Sequence, residues 1–166
     1  MNERGMRTKP EKIVIPIEVE KLATAVVDAA FEVHSELGPG LLETAYEACL
    51  AHELQLRGIA HQRQLPVSLN YKGKLIEVGF RADVVVENKL LVELKAVEQL
   101  APIHKAQVVT YLKLLHMPLG LLINFNEVLI KSGIHRVLNL PKATSAQASE
   151  PEDSEPSSSR LRAFPV

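Results

Sequence analysis

The feature that most constrains the fold of this chain is a pair of apolar runs that carry charges near their ends. Both runs lie in residues 81–96, which read RADVVVENKLLVELKA. The apolar residues in each run follow one another without alternation, which is typical of strands buried on both faces of a sheet. Charged side chains at the ends of such strands are costly unless they are paired. Asp83, Glu93 and Lys95 are therefore expected to have partners.

The loop between the two runs decides whether these three charges meet. A three-residue loop at residues 87–89 places Asp83 opposite Glu93. Lys95, two residues further along its strand, then shares the face of Glu93. Directly opposed residues have Cβ atoms about 4.5–5.5 Å apart, which lets two carboxylates hold one cation. A two-residue loop would instead send Asp83 to the other face of the sheet.

Two facing carboxylates repel each other unless a proton or a cation lies between them. Mg²⁺ binds one or two carboxylates while it keeps several waters, and it can lower the pKa of a bound water. A neighbouring lysine could orient that water or stabilise charge that develops on a phosphate. The same residues also fit a plain salt-bridged hairpin, because an Asp followed by Glu-x-Lys is common by chance. The hairpin alone leaves both interpretations open.

Hydrophobic periodicity predicts helices on both sides of the hairpin. Apolar residues recur three and four apart from Glu18 to Leu37, and the Gly-Pro-Gly that follows ends this helix. A second helix is predicted over 42–57, and a third begins at Pro102 and ends near Leu115. Strands are predicted in the Val-, Leu- and Ile-rich stretches 64–71, 75–86 and 90–96, which form an antiparallel meander, and in 119–125, with a closing pair at 128–132 and 134–138. This order predicts an α/β fold in which helices cover a mixed sheet.

Polar side chains on the helices flanking the hairpin have two interpretations. Glu43 begins an apolar stripe on the second helix and should point towards the sheet, although the helix dipole also favours a glutamate there. His104, Gln107 and Tyr111 lie on one face of the third helix. Such a stripe is more often a solvated face than part of a site, but its apolar neighbours leave this face only partly polar, so both interpretations stay open.

Composition limits the functions and compartments that fit the chain. Nineteen basic and twenty acidic side chains leave a net charge of −1, whereas nucleic-acid-binding proteins usually carry a basic surplus. The single cysteine, Cys49, excludes an internal disulfide framework and predicts a cytoplasmic setting. We expect no membrane association, because no apolar run reaches the roughly eighteen residues of a membrane span.

The chain length suits one domain with loose ends. From Pro141 the sequence is rich in Ser, Glu and Pro, so residues 141–166 are predicted to form a disordered tail. Residues 1–12 are predicted to be flexible as well. The folded domain is therefore expected to span residues 13–140.

Several motifs in this domain resemble those of the GxxExxY family, a prokaryotic group similar to PD-(D/E)xK nucleases. Residues 40–46, GLLETAY, contain the motif for which the family is named. The resemblance continues in order through YKG at 71–73, RAD at 81–83, VELKA at 92–96, HKAQ at 104–107, YLK at 111–113 and LLINF at 121–125. It covers roughly residues 18–138, which is nearly the whole predicted domain.

The resemblance implies a restriction-endonuclease-like αβββαβ core with an extra N-terminal helix. It also implies a Mg²⁺- or Mn²⁺-dependent nuclease that hydrolyses phosphodiester bonds in DNA or another nucleic acid. The implied site residues are Glu43, Asp83, Glu93, Lys95 and Gln107. Asp83 and Glu93 would bind the metal, and Glu43 would support the metal shell. Lys95 would assist the attacking water, and Gln107 would orient the site or contact the substrate.

The near-neutral charge supports an alternative function, a non-catalytic module that uses the same fold for self-association. The first helix also presents more apolar surface than one sheet face would cover, at Val26, Val27, Ala29, Ala30, Phe31 and Val33. A symmetric dimer is the commonest way to bury such an excess. The sequence therefore predicts a homo-oligomer and leaves open whether the site is catalytic.

Overall fold

The computed structural model describes residues 14–77 and 79–139. The helices are α1 Ile17–Leu37, α2 Glu43–Leu56, α3 Pro102–Leu114 and the one-turn α4 Ile130–Gly133. The strands are β1 His61–Pro66, β2 Leu69–Tyr71, β3 Lys74–Ile76, β4 Arg81–Val86, β5 Leu90–Lys95, β6 Leu119–Asn124 and β7 Ile134–Leu138. The predicted flexible N-terminus and the predicted disordered tail lie outside the described residues. No helix within the described ranges is long and apolar enough to cross a membrane.

Five strands form the central sheet in the order β1-β4-β5-β6-β7. All neighbours are antiparallel except β5 and β6, which are parallel. The connection between these two strands runs through α3, because parallel neighbours need a long crossover. The elements α2, β1, β4, β5, α3 and β6 make up an αβββαβ core, and α1 precedes it. The predicted mixed α/β fold with an extra N-terminal helix is confirmed.

Helices cover both faces of the sheet. On the face packed by α1 and α2, the β4–β5 hairpin contributes Val84, Val86, Leu90, Val92 and Leu94. On the opposite face α3 packs through Val108 and Leu112, which share a core cluster with Val85 and Leu91. This double coverage explains the two unbroken apolar runs, because alternate residues of each strand enter different core clusters.

The β4–β5 hairpin has the register that a three-residue loop predicts. Val86 pairs with Leu90, and two further pairs continue the ladder towards the charged residues. Side chains on directly opposed positions of neighbouring strands share a face. The predicted three-residue loop and its register are confirmed for these pairs, and beyond them Asp83 lies close enough to Glu93 for its charge to raise the pKa of that residue.

The predicted three-stranded meander is wrong in one respect. Each of the predicted strands 64–71 and 75–86 divides in two, so that the parts next to the turn form the separate β2–β3 hairpin. The outer parts form β1 and β4, which pair with each other in the central sheet. Pro66 ends β1 because proline has no N–H to donate to a ladder. The pattern of apolar residues does not show where a strand ends in one sheet and the next strand begins in another.

The predicted closing pair of strands is also wrong. The region expected to form its first strand contains α4 instead, and β7 pairs with β6. The end of α4 packs closely against the end of β6, because a Cβ at Gly133 would collide with the backbone carbonyl of Asn124. Short apolar runs fit a helix and a strand about equally well, so the sequence pattern could not separate the two.

The apolar surface of α1 is smaller than the sequence predicts. Of the six residues expected to form it, Val26, Ala29, Ala30 and Val33 are buried in the core. Val27 is partly buried and Phe31 remains 43% exposed. The helix contacts α2, β5 and α4, so it is covered on more sides than a helix lying on one sheet face.

Candidate active site

The turn that precedes α2 is held by Tyr46. Its hydroxyl donates to the carbonyl of Gly38 at 2.6 Å and accepts from the backbone N–H of Leu41 at 3.1 Å. Its ring stacks on Phe125 with 4.6 Å between the ring centroids. These contacts fix the start of the helix, and they thereby fix Glu43, which is its first residue. The tyrosine of the GxxExxY motif thus positions the glutamate of the same motif.

Asp83 lies where the β4–β5 backbone ladder ends. The last backbone pair is Val84 with Val92. Beyond it, Oδ2 of Asp83 accepts a hydrogen bond from the N–H of Leu94 at 2.9 Å. The carboxylate therefore takes the place of a strand carbonyl. A residue in this position is held by the backbone of β5 and lies beside the other charges.

Glu93 and Lys95 form the centre of the cluster. Glu93 is 1% exposed, and its Oε1 accepts from Nζ of Lys95 at 2.9 Å. The same ammonium donates to the carbonyl of Leu94 at 2.9 Å and lies 3.8 Å from Oε1 of Glu43. Within the described residues, the buried Oε2 of Glu93 has no hydrogen-bond partner. Lys95 thus joins residues of β5 to the start of α2 but leaves one carboxylate oxygen unsatisfied.

Burial and mutual repulsion raise the pKa values of the carboxyl groups in the cluster. Burial, together with the charge of Asp83, raises the pKa of Glu93 to about 7. Burial also raises the pKa of Asp83 and the pKa of Glu43. Desolvation would lower the pKa of Lys95, but the nearby carboxylates, Glu93 foremost, outweigh it and raise that pKa. Closely spaced carboxylates of this kind favour binding of a proton or a cation.

Gln107 is not brought into this hydrogen-bonded cluster. Its amide donates to the hydroxyl of Tyr111 at 3.3 Å, and none of the hydrogen bonds among the described residues joins it to the charges. Gln107 lies on α3, which covers one face of the sheet. Leu91 packs against α3 on that face, and Glu93, two residues later on β5, has the same orientation as Leu91. The role of Gln107 in orienting the site or contacting substrate stays a prediction.

Three further residues of the site were not identified from the sequence. Glu47 is 4% exposed and accepts from Nε of Arg63 at 2.8 Å and from Nε2 of Gln64 at 2.6 Å. Gln64 also donates to Oδ1 of Asp83 at 3.3 Å. The spacing of Glu47, four residues after Glu43, is a signal that both share one helix face. The two β1 residues gave no such signal, because the predicted strands did not show the break at residues 67–68 that sets the register of β1 on β4.

The donor set fits a hydrated cation of the Mg²⁺ type. Among the described residues, no group of three or more His, Cys, Asp or Glu side chains is arranged to hold a metal ion. Zinc usually needs three or four such ligands. Mg²⁺ needs one or two carboxylates and keeps water in its other positions. Asp83, together with the unsatisfied Oε2 of Glu93, meets this lower requirement.

Comparison with known proteins assigns the chain to a family. No curated protein and no solved structure matches the chain. A family model described as the PD-(D/E)XK nuclease superfamily matches residues 20–137, a range that contains every residue of the charged cluster. In the pattern of that name, Ala82 stands where proline is written, followed by Asp83 and later by Glu93-Leu94-Lys95. The match covers most of the chain, and the protein therefore belongs to the PD-(D/E)XK nuclease superfamily.

Proposed function

We propose that this protein is a Mg²⁺- or Mn²⁺-dependent nuclease of the GxxExxY group that hydrolyses phosphodiester bonds in DNA or another nucleic acid. Membership of the superfamily supports nuclease chemistry. The observation that carries the proposal is the buried Oε2 of Glu93, which has no hydrogen-bond partner among the described residues and belongs to the same cluster as Asp83. A divalent cation would supply the missing partner and neutralise both carboxylates.

The residues of the cluster divide the proposed chemistry between them. Asp83 and Glu93 would hold the cation, which supplies a Lewis acid and a bound water of lowered pKa. Lys95 is fixed by Glu93 and the Leu94 carbonyl, so its ammonium serves as a placed positive charge beside the reacting phosphate. Glu43 restrains that ammonium from α2. In the overall reaction water forms a bond to phosphorus and the bond to the leaving sugar oxygen breaks.

Two arginines beside the cluster supply local positive charge for a nucleic-acid backbone. The side chain of Arg63 on β1 is 45% exposed although it is paired with Glu47. Arg81 is exposed at the start of β4, two residues before Asp83, and donates to the carbonyl of Gln64 at 3.2 Å. Guanidinium groups suit phosphate contacts. These two arginines would attract the phosphates of a nucleic acid locally, although the chain as a whole carries a net charge of −1.

The proposal is tested with purified protein on single- and double-stranded DNA and RNA, in Mg²⁺, in Mn²⁺ and in EDTA. Cleavage is expected with either metal and not in EDTA. Asp83→Asn should lower the rate by at least about 100-fold. Glu53→Gln is the control, because Glu53 on α2 is a carboxylate that pairs with Arg57 and lies outside the charged cluster. Equal cleavage by wild type and Asp83→Asn, or no metal-dependent cleavage of any substrate, would contradict the proposal.

One observation favours the second candidate function, a non-catalytic module that self-associates. Phe31, Val128 and Leu129 line a groove between α1 and α4, and they are 43%, 81% and 70% exposed. β7, which follows α4 along the chain, is an edge strand of the central sheet. Exposed apolar residues gathered around a groove are typical of an interaction surface. A dimer formed through this groove is compatible with either function.

A further inference from the structure

The backbone of Gln64 is unusual at the point where β1 passes the charged cluster. Its φ is 50°, although it lies within a strand and is not a glycine. The residues on either side of it pair with β4, but Gln64 and the facing Asp83 are left out of the ladder. Non-glycine residues adopt such a backbone conformation only where the surrounding structure requires it, and these positions concentrate at functional sites.

The unusual backbone lets two successive residues contact the same carboxylate. Neighbouring residues in a regular strand point to opposite faces of the sheet. Here Arg63 and Gln64 both donate to Glu47, at 2.8 Å and 2.6 Å. Both oxygens of Glu47 are therefore occupied, and this buried carboxylate serves as an anchor for the Gln64 amide. The positive φ is the local change that makes this arrangement available.

The anchored amide in turn holds Asp83. Nε2 of Gln64 donates to Oδ1 of Asp83 at 3.3 Å, while Oδ2 accepts from the Leu94 N–H at 2.9 Å. Each oxygen of Asp83 thus has one donor, and the two donors restrict rotation of the carboxylate. Outer residues that fix the orientation of a ligand typically change metal affinity by 10–100-fold when they are removed.

We infer that Gln64 is a positioning residue, which fixes the orientation of Asp83 and thereby sets the affinity of the cluster for a divalent cation. The inference rests on the proposed metal-dependent function and deepens it. Gln64 acts through Asp83, while Glu47 and Arg63 hold Gln64 in place. Loss of the amide should leave the fold intact but free one side of the Asp83 carboxylate.

The test is the affinity of the full chain for Mn²⁺, measured by titration calorimetry at a temperature where every variant is folded. Gln64→Ala and Gln64→Gly should each bind at least about 10-fold more weakly than wild type. If the alanine variant does not fold, the glycine variant still gives the measurement, because glycine adopts the positive φ of position 64 without strain. Gln62→Ala is the matched control, since Gln62 lies on the same strand and its amide donates to Asn88 instead. Its affinity should equal that of wild type.

The outcomes separate this inference from the proposed function. If both Gln64 variants bind Mn²⁺ as wild type does, while Asp83→Asn does not bind, the inference is overturned and the metal site stands. If wild type binds no Mn²⁺, the metal-dependent function fails and the inference fails with it. A purely structural role for Gln64 predicts lower resistance to urea with unchanged affinity of the folded protein, and that result would also overturn the inference.

Discussion

Glu93 and Lys95 form an ion pair of 2.9 Å on one face of β5, and this pair satisfies only one of the two oxygens of the glutamate. The spacing of two residues places both side chains on the same face of a strand. The lysine is also bound to the Leu94 carbonyl and lies within reach of Glu43. The pair therefore connects the sheet to α2.

The stability of the metal-free protein should fall as pH rises from 5 to 8. The pKa of Glu93 is raised from 4.5 to about 7 in the folded state, so the folded protein holds this proton more tightly than the unfolded chain does. Its stabilising contribution is complete below the unfolded pKa and is lost as pH rises through the folded pKa. At about 1.4 kcal/mol for each pKa unit, the loss should be about 2–3 kcal/mol. Lys95, whose pKa is raised, titrates above this range.

Urea unfolding in EDTA at several pH values measures this loss. Glu93→Gln has no titrating group at the position and should show a much smaller decrease over the same range. Equal pH dependence in the two proteins would contradict the assignment of the raised pKa to Glu93.

Asp83→Asn should remove stabilisation by divalent cations without weakening the metal-free fold. Asparagine keeps a carbonyl oxygen that can accept from the Leu94 N–H, and it removes one of the mutually repelling charges. Thermal unfolding with Mg²⁺, with Mn²⁺ and in EDTA should show a metal-dependent increase in Tm for wild type only. If Asp83 instead serves only as an ion-pair partner of Lys95, the variant should be destabilised by about 3–5 kcal/mol in EDTA.

Lys95→Met should abolish cleavage while it retains metal binding. The methionine keeps the apolar part of the side chain but removes the positive charge, and the rate should fall by at least about 100-fold. Mn²⁺ titration should still report an affinity close to that of wild type, because the carboxylate ligands remain. A variant that loses binding together with cleavage would show that Lys95 holds the ligand geometry and has no separate role beside the phosphate.

The groove between α1 and α4 should bury apolar surface against a second copy of the chain. Light scattering at micromolar concentration should give the mass of a dimer for wild type. Leu129→Glu should give a monomer, because Leu129 is 70% exposed at the groove. Leu56→Glu is the control, since Leu56 is 67% exposed on α2 and does not line the groove. A monomeric mass for wild type would remove the prediction.

Gly120→Ala should destabilise the protein where β6 passes beneath α3. A Cβ at Gly120 would lie 2.9 Å from Cγ1 of Val108 and 3.3 Å from Cδ2 of Leu112. Overpacking of this kind costs about 1–3 kcal/mol. Val108→Ala should restore part of the loss in the double variant, as measured by urea unfolding. Gly79→Ala is the control, because a Cβ there meets nothing within 4 Å.

The sequence by itself determined the parts of the site that depend on local rules. Alternation along a strand places Glu93 and Lys95 on one face, and the length of one loop places Asp83 opposite them. The burial of both strand faces follows from their unbroken apolar runs. Helix boundaries followed from periodicity and from glycine and proline at the ends. These features need only information from neighbours along the chain, and the structure confirms the loop length, the buried strand faces and the helix boundaries.

Only the tertiary structure decided which distant groups reach the cluster. The contact of Gln64 with Asp83 exists because β1 pairs with β4, across a division into two sheets that no local pattern reports. The unsatisfied oxygen of Glu93 and its raised pKa arise from the burial of this side chain in the packed structure. Gln107 bonds to Tyr111, although its residue type and position were compatible with a role in the cluster. Such contacts depend on the packing of whole elements, and packing is set by the sum of many weak interactions across the chain.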